Sequence, residues 1–288
     1  MEHSSAVGVI GGSGLYSMPN VEVVDEVELE TPFGAPSDHY VVGDLHGRRV
    51  VFLPRHGRNH SLLPTELNFR ANIWGFKKLG VTRIVSVSAV GSMKEQIEPL
   101  HIVLPDQFID RTRRRVETFF GGGAVAHVSL ADPVCPELRA ALREAVESTG
   151  ARCWPDGTYL CMEGPGFSTR AESYLYRSWG VSVIGMTNLP EAKLAREAEM
   201  CYATVALVTD YDCWHEAEEA VSGEMVLENL QKNASTAQQA LGALMSALPQ
   251  DRSCECGQAL ARSLVTPPDQ IPAQTRQKLD IIIGKYVE

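Results

Sequence analysis

Short apolar runs alternate with amphipathic stretches along most of the chain. Residues 7–10, 82–87 and 203–208 are rich in Val, Ile or Leu, which is typical of strands buried on both faces. Between such runs, apolar residues recur every three to four positions, as they do in residues 136–149, and this spacing predicts helices that pack on a sheet. The pattern therefore indicates strands and helices in alternation.

This alternation predicts an α/β fold: a single domain with a central mixed, mostly parallel β-sheet flanked by helices. Residues 1–250 are expected to form the main domain, because no low-complexity linker divides them. Residues 251–288 are expected to form a helical extension that packs on the domain or on a neighbouring subunit. The predicted strands are 7–10, 41–43, 49–53, 82–87, 102–104, 107–109, 157–162, 181–184 and 203–208, and the predicted helices are 65–79, 136–149, 169–179, 190–199, 222–248 and 272–287.

Polar side chains follow the apolar run that ends at Val208. Asp210 and Asp212 come directly after it, and the carboxyl edge of an α/β sheet is where ligands bind. A capped or solvated turn explains the two carboxylates equally well from spacing alone. Other predicted strands also change from apolar to polar residues where they end, and this favours a ligand site.

Four further strand exits carry hydroxyls, backbone N–H groups or cations. Each of them, taken singly, is equally consistent with an ordinary turn or an exposed basic loop. Together they predict a phosphate site in which Arg55 supplies the main charge, because guanidinium and hydroxyl groups complement phosphate oxygens. Phe167 and Met186 would hold a flat ring or a sugar against it, which fits a nucleoside plus orthophosphate. The exits are Ser13, Arg55 with His56, Ser88 with Ala89, and Thr187.

Composition narrows the class of protein. The 288 residues carry a formal net charge of -10, which argues against non-specific binding to nucleic acid. No apolar run approaches the roughly 20 residues that span a bilayer, and no signal peptide is visible at the N-terminus. Together with seven scattered cysteines, these features predict a cytoplasmic protein that binds neither membrane nor nucleic acid.

Cys254 and Cys256 form a Cys-x-Cys pair near the C-terminus. Such a pair could be a redox site or a metal site, but two thiols alone make a poor cage for a metal ion. Free thiols are the simplest interpretation, with a regulated or structural disulfide as the alternative. No His and Cys ligand set is visible elsewhere, so no metal is predicted.

The chain resembles the methylthioadenosine phosphorylases, a family within the purine nucleoside phosphorylase superfamily. The resemblance covers residues 7–248, and several of its motifs are long, so that chance agreement is not credible. The matching motifs are Gly-Gly-Ser-Gly at 11–14, Thr-Pro-Phe-Gly-Ala-Pro-Ser-Asp at 31–38, Arg-His-Gly-Arg-Asn-His at 55–60, Asn-Phe-Arg-Ala-Asn-Ile-Trp at 68–74, Asp-Gln-Phe-Ile-Asp-Arg-Thr at 106–112, Glu-Gly-Pro-Gly-Phe-Ser-Thr-Arg-Ala-Glu-Ser at 163–173 and Thr-Asp-Tyr-Asp-Cys-Trp at 209–214.

The resemblance implies a role for each matching position. Asp210 would act as general acid and, with Asp212, bind the base, while His127 would enter the neighbouring subunit's 5′ pocket in a trimer or hexamer. The phosphate-binding positions would be Ser13, Arg55, His56, Ser88, Ala89 and Thr187. The remaining substrate-binding positions would be Phe167, Ser168 and Met186 at the purine and ribose, and Gly223 and Val226 at the 5′ substituent.

The expected reaction is phosphorolysis of S-methyl-5′-thioadenosine to adenine and 5-methylthioribose 1-phosphate, with orthophosphate as co-substrate and no cofactor. Asp rather than Asn at position 210 favours a base with a 6-amino group, and the absence of a 5′-reading His near Gly223 suits an apolar 5′ group. A phosphorylase of methylthioinosine or of ordinary purine nucleosides is the nearest alternative. A nucleoside hydrolase and a nucleoside-binding sensor are more distant ones.

Overall fold

The structure is a computed structural model that describes residues 6–12, 15, 18, 20–215 and 223–287, with the backbone alone for 223–227 and 230. The strands are β1 (Ala6–Gly11), β2 (Glu22–Val27), β3 (Tyr40–Leu45), β4 (Arg48–Pro54), β5 (Val81–Ser92), β6 (Ile102–Val103), β7 (Gln107–Arg111), β8 (Cys153–Trp154), β9 (Thr158–Met162), β10 (Val183–Gly185) and β11 (Cys201–Asp210). The α-helices are α1 (Phe69–Lys78), α2 (Pro136–Glu147), α3 (Arg170–Ser178), α4 (Asn188–Glu197), α5 (Gly223–Ala247) and α6 (Ala273–Val287).

All of these strands belong to one sheet. Eight of them follow the order β2-β3-β4-β1-β5-β10-β9-β7, while β11 pairs with β5 and β6, and β8 pairs with β6. Six of the ten strand pairings in the described part of the chain are parallel. The predicted fold class, a mixed and mostly parallel sheet with helices around it, is confirmed.

Helices cover both faces of the sheet because its central strands are apolar on both sides. Along β1, Ala6 and Ile10 lie in one buried cluster, whereas Val7 and Val9 lie in another. This division follows from the alternation of side chains along a strand. The first cluster takes in residues of α1 and α4, and the second takes in residues of α2 and α5.

The sheet opens beside β5, the strand at its centre. On one side, β1 pairs with β5 only as far as Ser86, and the antiparallel β10 joins at Gly91 and Ser92. On the other side, β11 accompanies β5 throughout this stretch. Residues 87–90 of β5 are therefore without a strand partner on one side among the described residues. This gap exposes backbone groups to a ligand.

Some predicted boundaries differ from the structure. The strand predicted to end at Val87 continues to Ser92, because pairing with β11 holds the small polar residues of 88–92 extended. The helix predicted from residue 65 begins at Phe69, where the Asn68 side chain accepts a hydrogen bond from Ala71 N and caps it. Strand β2 was missed because it is an exposed, acidic edge strand without an apolar face.

The C-terminal tail packs against the sheet-forming part of the same chain. Leu279, Ile282 and Ile283 of α6 are buried in the cluster that holds Ile10 and residues of α1 and α4. Packing of the extension on a neighbouring subunit, and a boundary at residue 250, remain predictions. None of the helices in the described ranges combines the length and apolar character that crossing a membrane requires.

Candidate active site

A cavity of about 490 Å³ lies at the opening of the sheet beside β5. It is mostly apolar, with convergent polar groups at its two ends, which is typical of a small-molecule site. The structure brings nine of the predicted site residues together in its wall. They are Arg55, His56, Ser88, Ala89, Phe167, Met186, Thr187, Asp210 and Asp212.

Five predicted residues are not in this wall as the structure describes it. Ser168 is buried behind it, where its hydroxyl approaches the sulfur of the wall residue Met162. His127 is exposed elsewhere on the chain, and its backbone N–H donates to Ser263 O at 2.8 Å. The other three lie outside what the structure describes: Ser13 entirely, and Gly223 and Val226, at the start of α5, in their side chains.

Arg55 is held in place by a buried ion pair with Glu191. Its Nε lies 2.5 Å from Glu191 Oε1, and the two side chains are 2% and 0% exposed. Nη1 donates to Val87 O at 2.9 Å, and no second acceptor for Nη1 occurs among the described residues. The sequence predicted that Arg55 supplies the main positive charge at this end of the cavity, but the carboxylate of Glu191 offsets most of that charge. What Arg55 mainly offers to an anion is therefore one oriented N–H group and not a net charge.

Two hydroxyl groups lie beside Arg55 and converge on one buried amide. Ser88 Oγ and Thr187 Oγ1 lie 3.5 and 3.4 Å from Asn188 Oδ1. Asn188 is fully buried, and its Nδ2 donates to Thr204 Oγ1 at 2.5 Å, which fixes the amide. Because the contacts to Asn188 Oδ1 are long, both hydroxyls can turn towards an anion in the cavity.

His56 is a neutral imidazole at the same end of the cavity. Its Nδ1 lies 2.8 Å from Leu62 O, and since a carbonyl only accepts, Nδ1 carries the hydrogen and Nε2 is an acceptor. Burial, helped by the nearby Arg55 charge, lowers the pKa of His56 to about 4. A neutral ring of this tautomer can accept a hydrogen bond from a P–OH group.

The opposite end of the cavity presents Asp210, which a β-bulge aims inward. Val208 pairs with Val90 but Asp210 pairs with Gly91, so Thr209 is the extra residue. Thr209 Oγ1 and Asp212 N donate to the Asp210 carboxylate at 2.7 and 2.8 Å. Burial nevertheless raises the pKa of Asp210 above its ordinary value, which makes protonation easier.

Asp212 holds an oxygen that lacks a protein partner. Its Oδ2 is buried and accepts no hydrogen bond from the described residues, and its backbone adopts a positive φ of 54°. Burial also raises the pKa of Asp212, and the charge of Asp210 adds to this effect. A buried acceptor in a strained residue on a cavity wall indicates that a ligand supplies the missing donor.

Gly91 makes room for the two carboxylates. A Cβ at this position would lie 3.0 Å from Asp210 Oδ1, 3.3 Å from Asp212 Cβ and 3.3 Å from Ile184 Cγ2. These are contacts tighter than side chains normally make, so any larger residue would push Asp210 out of position.

Apolar side chains form the wall between the two polar ends. Met186 is half-buried and packs over Gly164, where a Cβ would lie 2.6 Å from the Met186 sulfur. Phe167 lies at the mouth of the cavity, with 71% of its surface exposed. Both residues therefore offer apolar surface to a flat ring in the cavity.

Sequence reasoning missed the buried residues that orient this site. Glu191 and Asn188 touch Arg55, Ser88 and Thr187 rather than the cavity itself. The only hint was an acidic residue in the first turn of α4, which helix capping explains equally well. His60 and the segment Ser61–Pro64 also line the cavity. His60 belongs to the matching motif at residues 55–60 but was assigned no site role, and the pattern of residues 61–64 is that of an ordinary loop.

Metal-binding geometry occurs away from this cavity. Of the His, Cys, Asp and Glu side chains in the described ranges, one group has atoms close enough to ligate an ion, and it consists of four cysteines. None of them lines the cavity. The nine converging residues fit a ligand with an anionic end and a nitrogen-bearing ring.

The chain is similar to proteins of one family over nearly its whole length. The model of the phosphorylase superfamily matches residues 6–246. S-methyl-5′-thioadenosine phosphorylase of Koribacter versatilis strain Ellin345 is 61% identical over 280 residues, 97% of this chain and 96% of that protein. The enzyme of the same name from Geobacter sulfurreducens is 59% identical over 282 residues, 98% of this chain and 99% of that protein.

Solved structures agree with these relatives. A methylthioadenosine phosphorylase sourced from an Antarctic soil metagenomic library superimposes with a TM-score of 0.92 at 51% identity, covering 97% of this chain and 99% of that one. Methylthioadenosine phosphorylase of Schistosoma mansoni in complex with adenine has a TM-score of 0.84 at 32% identity, covering 97% and 98% of the two chains. The fold and the sequence therefore point to the same family.

The lowered pKa of His56 predicts how stability responds to acid. Between the unfolded value near 6.5 and about 4, the unfolded chain binds a proton that the folded chain excludes, so stability falls as pH falls through this window. The variant His56→Gln removes the contribution of this histidine to the pH dependence of stability. Between pH 7 and pH 5, its melting temperature should therefore fall less than that of the wild type. Asn59→Gln, a non-titrating change in the same loop, is the control; an equal acid response in wild type and His56→Gln would contradict the prediction.

Proposed function

The chain belongs to the phosphorylase superfamily, and from this premise we propose that it catalyses phosphorolysis of S-methyl-5′-thioadenosine to adenine and 5-methylthioribose 1-phosphate. One observation carries the proposal: a single cavity joins an Arg55 and hydroxyl end to a pair of buried carboxylates. The relatives named above, more than half identical to this chain, are enzymes of this activity. The chain is thus a pentosyltransferase that acts in purine and methionine salvage.

The Arg55 end binds orthophosphate. Arg55 Nη1, the hydroxyls of Ser88 and Thr187 and the open backbone at Ala89 offer hydrogen-bond donors, and neutral His56 offers an acceptor for the P–OH of monohydrogen phosphate. Because Glu191 neutralises much of the Arg55 charge, the site holds phosphate by oriented hydrogen bonds. Held in this way, a phosphate oxygen lies ready to attack C1′ of the nucleoside.

The Asp210 end receives the leaving base. As the C1′–N9 bond breaks, its electron pair moves into the purine, and a protonated Asp210 donates its proton to N7. Burial raises the pKa of Asp210 above its ordinary value, which favours the protonated form that this role requires. Phosphate stabilises the cationic sugar and then forms the new C1′–O bond, which balances the exchange.

Asp212 selects the base. Its unpartnered Oδ2 is an acceptor, and the 6-amino group of adenine supplies the donor that this oxygen lacks. A 6-oxo group would place acceptor against acceptor. We therefore assign recognition of the amino group to Asp212 and proton transfer to Asp210, whose two oxygens already accept hydrogen bonds. A methylthioinosine or general purine nucleoside phosphorylase, the earlier alternative, is not favoured.

The remaining roles rest on the family resemblance. Phe167 covers the purine, Met186 contacts the ribose and base, and Ser168 supports this wall from behind. Ser13 completes the phosphate site, and Gly223 and Val226 meet the methylthio group. Neither the phosphate attack nor the proton transfer calls for a metal or organic cofactor. A cytoplasmic location is consistent with seven cysteines, none of which is in a disulfide.

A homo-oligomer completes the 5′ pocket, with His127 as the residue that each subunit lends to its neighbour. His127 is exposed and lies outside its own chain's cavity. Exposed Val125 and Val265, linked by a hydrogen bond from Val265 N to Val125 O at 2.8 Å, lie beside it and give this face an apolar character. A trimer or a hexamer would cover these side chains.

A substrate panel tests the reaction. Methylthioadenosine, methylthioinosine, adenosine and inosine are each incubated with and without phosphate, and release of free base is measured. We expect phosphate-dependent release of adenine, fastest from methylthioadenosine. Faster turnover of the inosine compounds would overturn the base assignment, whereas release without phosphate would overturn phosphorolysis.

Two substitutions separate the roles of the carboxylates. Asp210→Asn should lower turnover of every purine substrate by about 10²- to 10⁴-fold, because it removes the general acid. Asp212→Asn should lower the ratio of kcat/KM for methylthioadenosine over methylthioinosine by roughly 10- to 100-fold, the value of a hydrogen bond to a charged group. Asp132→Asn, an exposed change, is the control. A ratio that changes only in Asp210→Asn would return base selection to Asp210.

Subunit mixing tests the shared pocket. His127→Ala should raise the KM for methylthioadenosine about tenfold, the effect of one lost contact of about 1.4 kcal/mol, without changing the oligomer mass. Chains carrying Asp210→Ala are inactive but still lend an intact His127. Mixed oligomers of the two variants should recover the wild-type KM in some of their sites. A KM that stays raised in every mixture would show that His127 does not serve a neighbour.

A further inference from the structure

Four cysteines from separate parts of the sequence meet outside the catalytic cavity. The sulfur atoms of Cys135, Cys201, Cys254 and Cys256 all lie within 4.8 Å of one another, and the Cys201 and Cys254 sulfurs are 3.4 Å apart. Cys254 is half-buried and the other three are buried. This tetrathiol cluster joins the start of α2, the first residue of β11 and the C-terminal tail.

The mutual spacing of the four sulfurs suits a metal ion better than two disulfides. In a tetrahedral site with zinc–sulfur bonds of about 2.3 Å, every pair of sulfurs is about 3.8 Å apart. Two disulfides would require two bonded pairs, and nothing in that arrangement would draw all four sulfurs together. The Cys-x-Cys pair alone provides too few ligands for a metal ion, but the fold brings Cys135 and Cys201 beside it as the third and fourth.

Hydrogen-bond donors surround the cluster on its protein side. Leu138 N donates to Cys135 Sγ at 3.4 Å, where Cys135 caps the N-terminus of α2. Arg252 Nη1 lies 4.0 Å from Cys201 Sγ and also donates to Glu199 O at 3.0 Å. Four thiolates around a divalent ion carry a net charge of −2, and such donors stabilise it.

The tail segment that carries two of the cysteines is anchored beside them. Buried Arg83 donates to Gln250 O at 3.1 Å and to Asp251 O at 2.7 Å. The backbone N–H of Ser253 donates to Glu137 Oε2 at 2.9 Å, in the first turn of α2. These contacts place Cys254 and Cys256 opposite the other two sulfurs without help from a metal, so the ligands are preorganised.

We propose that the tetrathiol cluster binds one zinc ion as a closed structural site that fastens the C-terminal tail to the start of β11. Four protein thiolates fill the tetrahedral shell, so no position remains for water or substrate. Binding releases the thiol protons to solvent and forms four zinc–sulfur bonds, with no change of oxidation state. Strand β11 begins in this cluster and ends at Asp210 in the cavity, so the ion also steadies the strand that carries this carboxylate.

The first test uses the unmodified full-length chain, purified without chelators. We expect about one zinc per chain by elemental analysis, and all four cluster thiols unreactive towards alkylating reagents until zinc is removed. Co²⁺ added in place of zinc should give the thiolate-to-metal charge-transfer absorption of a four-sulfur site. Two results would overturn the proposal. One is an intact mass lower by the two hydrogens that each disulfide removes, and the other is a chain whose thiols are free and that does not retain added zinc.

Variants locate the ion. Cys254→Ser and Cys256→Ser should each lower zinc content at least tenfold and lower the melting temperature by roughly 5 °C, because a fixed tail is released. Cys153→Ser, a half-buried cysteine on β8 outside the cluster, is the matched control and should keep both values. Equal zinc content in Cys153→Ser and Cys254→Ser would place the ion elsewhere. The measurements on the unmodified chain stand even if a variant folds poorly.

Discussion

The buried ion pair between Arg55 and Glu191 joins the centre of the sheet to a helix. Arg55 follows β4 and donates to backbone carbonyls of β1 and β5, while Glu191 of α4 also accepts from Ser86 Oγ at 3.2 Å and from Tyr202 Oη of β11 at 2.9 Å. Removing one partner would leave a full charge in a fully buried place, which costs several kcal/mol. The pair therefore fixes the relative positions of four strands and α4. The proposed phosphate end of the cavity depends on it, because it orients Arg55 Nη1, which has an N–H group without an acceptor among the described residues.

The chemistry at the other end of the cavity depends on how β5 and β11 run together. Because β5 and β11 stay paired beyond the end of the β1 pairing at Ser86, the small residues that follow Ser86 border the opening of the sheet. The bulge at Thr209 directs the Asp210 side chain into this opening. Gly91 lets the carboxylate lie against β5. The proposed phosphate donors and purine acceptors thus lie around one opening of the sheet, so that a nucleoside spanning the opening would meet both. The reacting groups need no moving domain to bring them together.

The C-terminal tail is also held by specific contacts with the sheet, away from the cavity. It buries α6 against the sheet and brings Cys254 and Cys256 to the beginning of β11, so one strand begins in the tetrathiol cluster and ends at Asp210 in the cavity. The polar contacts of Arg83 and Arg252 with the tail backbone are buried and specific. They fix the position of the extension, and so offset the conformational entropy lost when a short helix on a long connection becomes ordered.

The sequence by itself determined the fold class, most helices and strands, and nine residues that meet in the cavity. It could do so because buried parallel strands have a continuous apolar pattern and because ligands bind where such strands end. Only the tertiary structure decided that Glu191 offsets the charge of Arg55, that Asp212 has an oxygen without a hydrogen-bond partner in the described ranges, and that four cysteines meet. These facts depend on contacts between residues up to 136 positions apart, as between Arg55 and Glu191, and no local pattern encodes such distances.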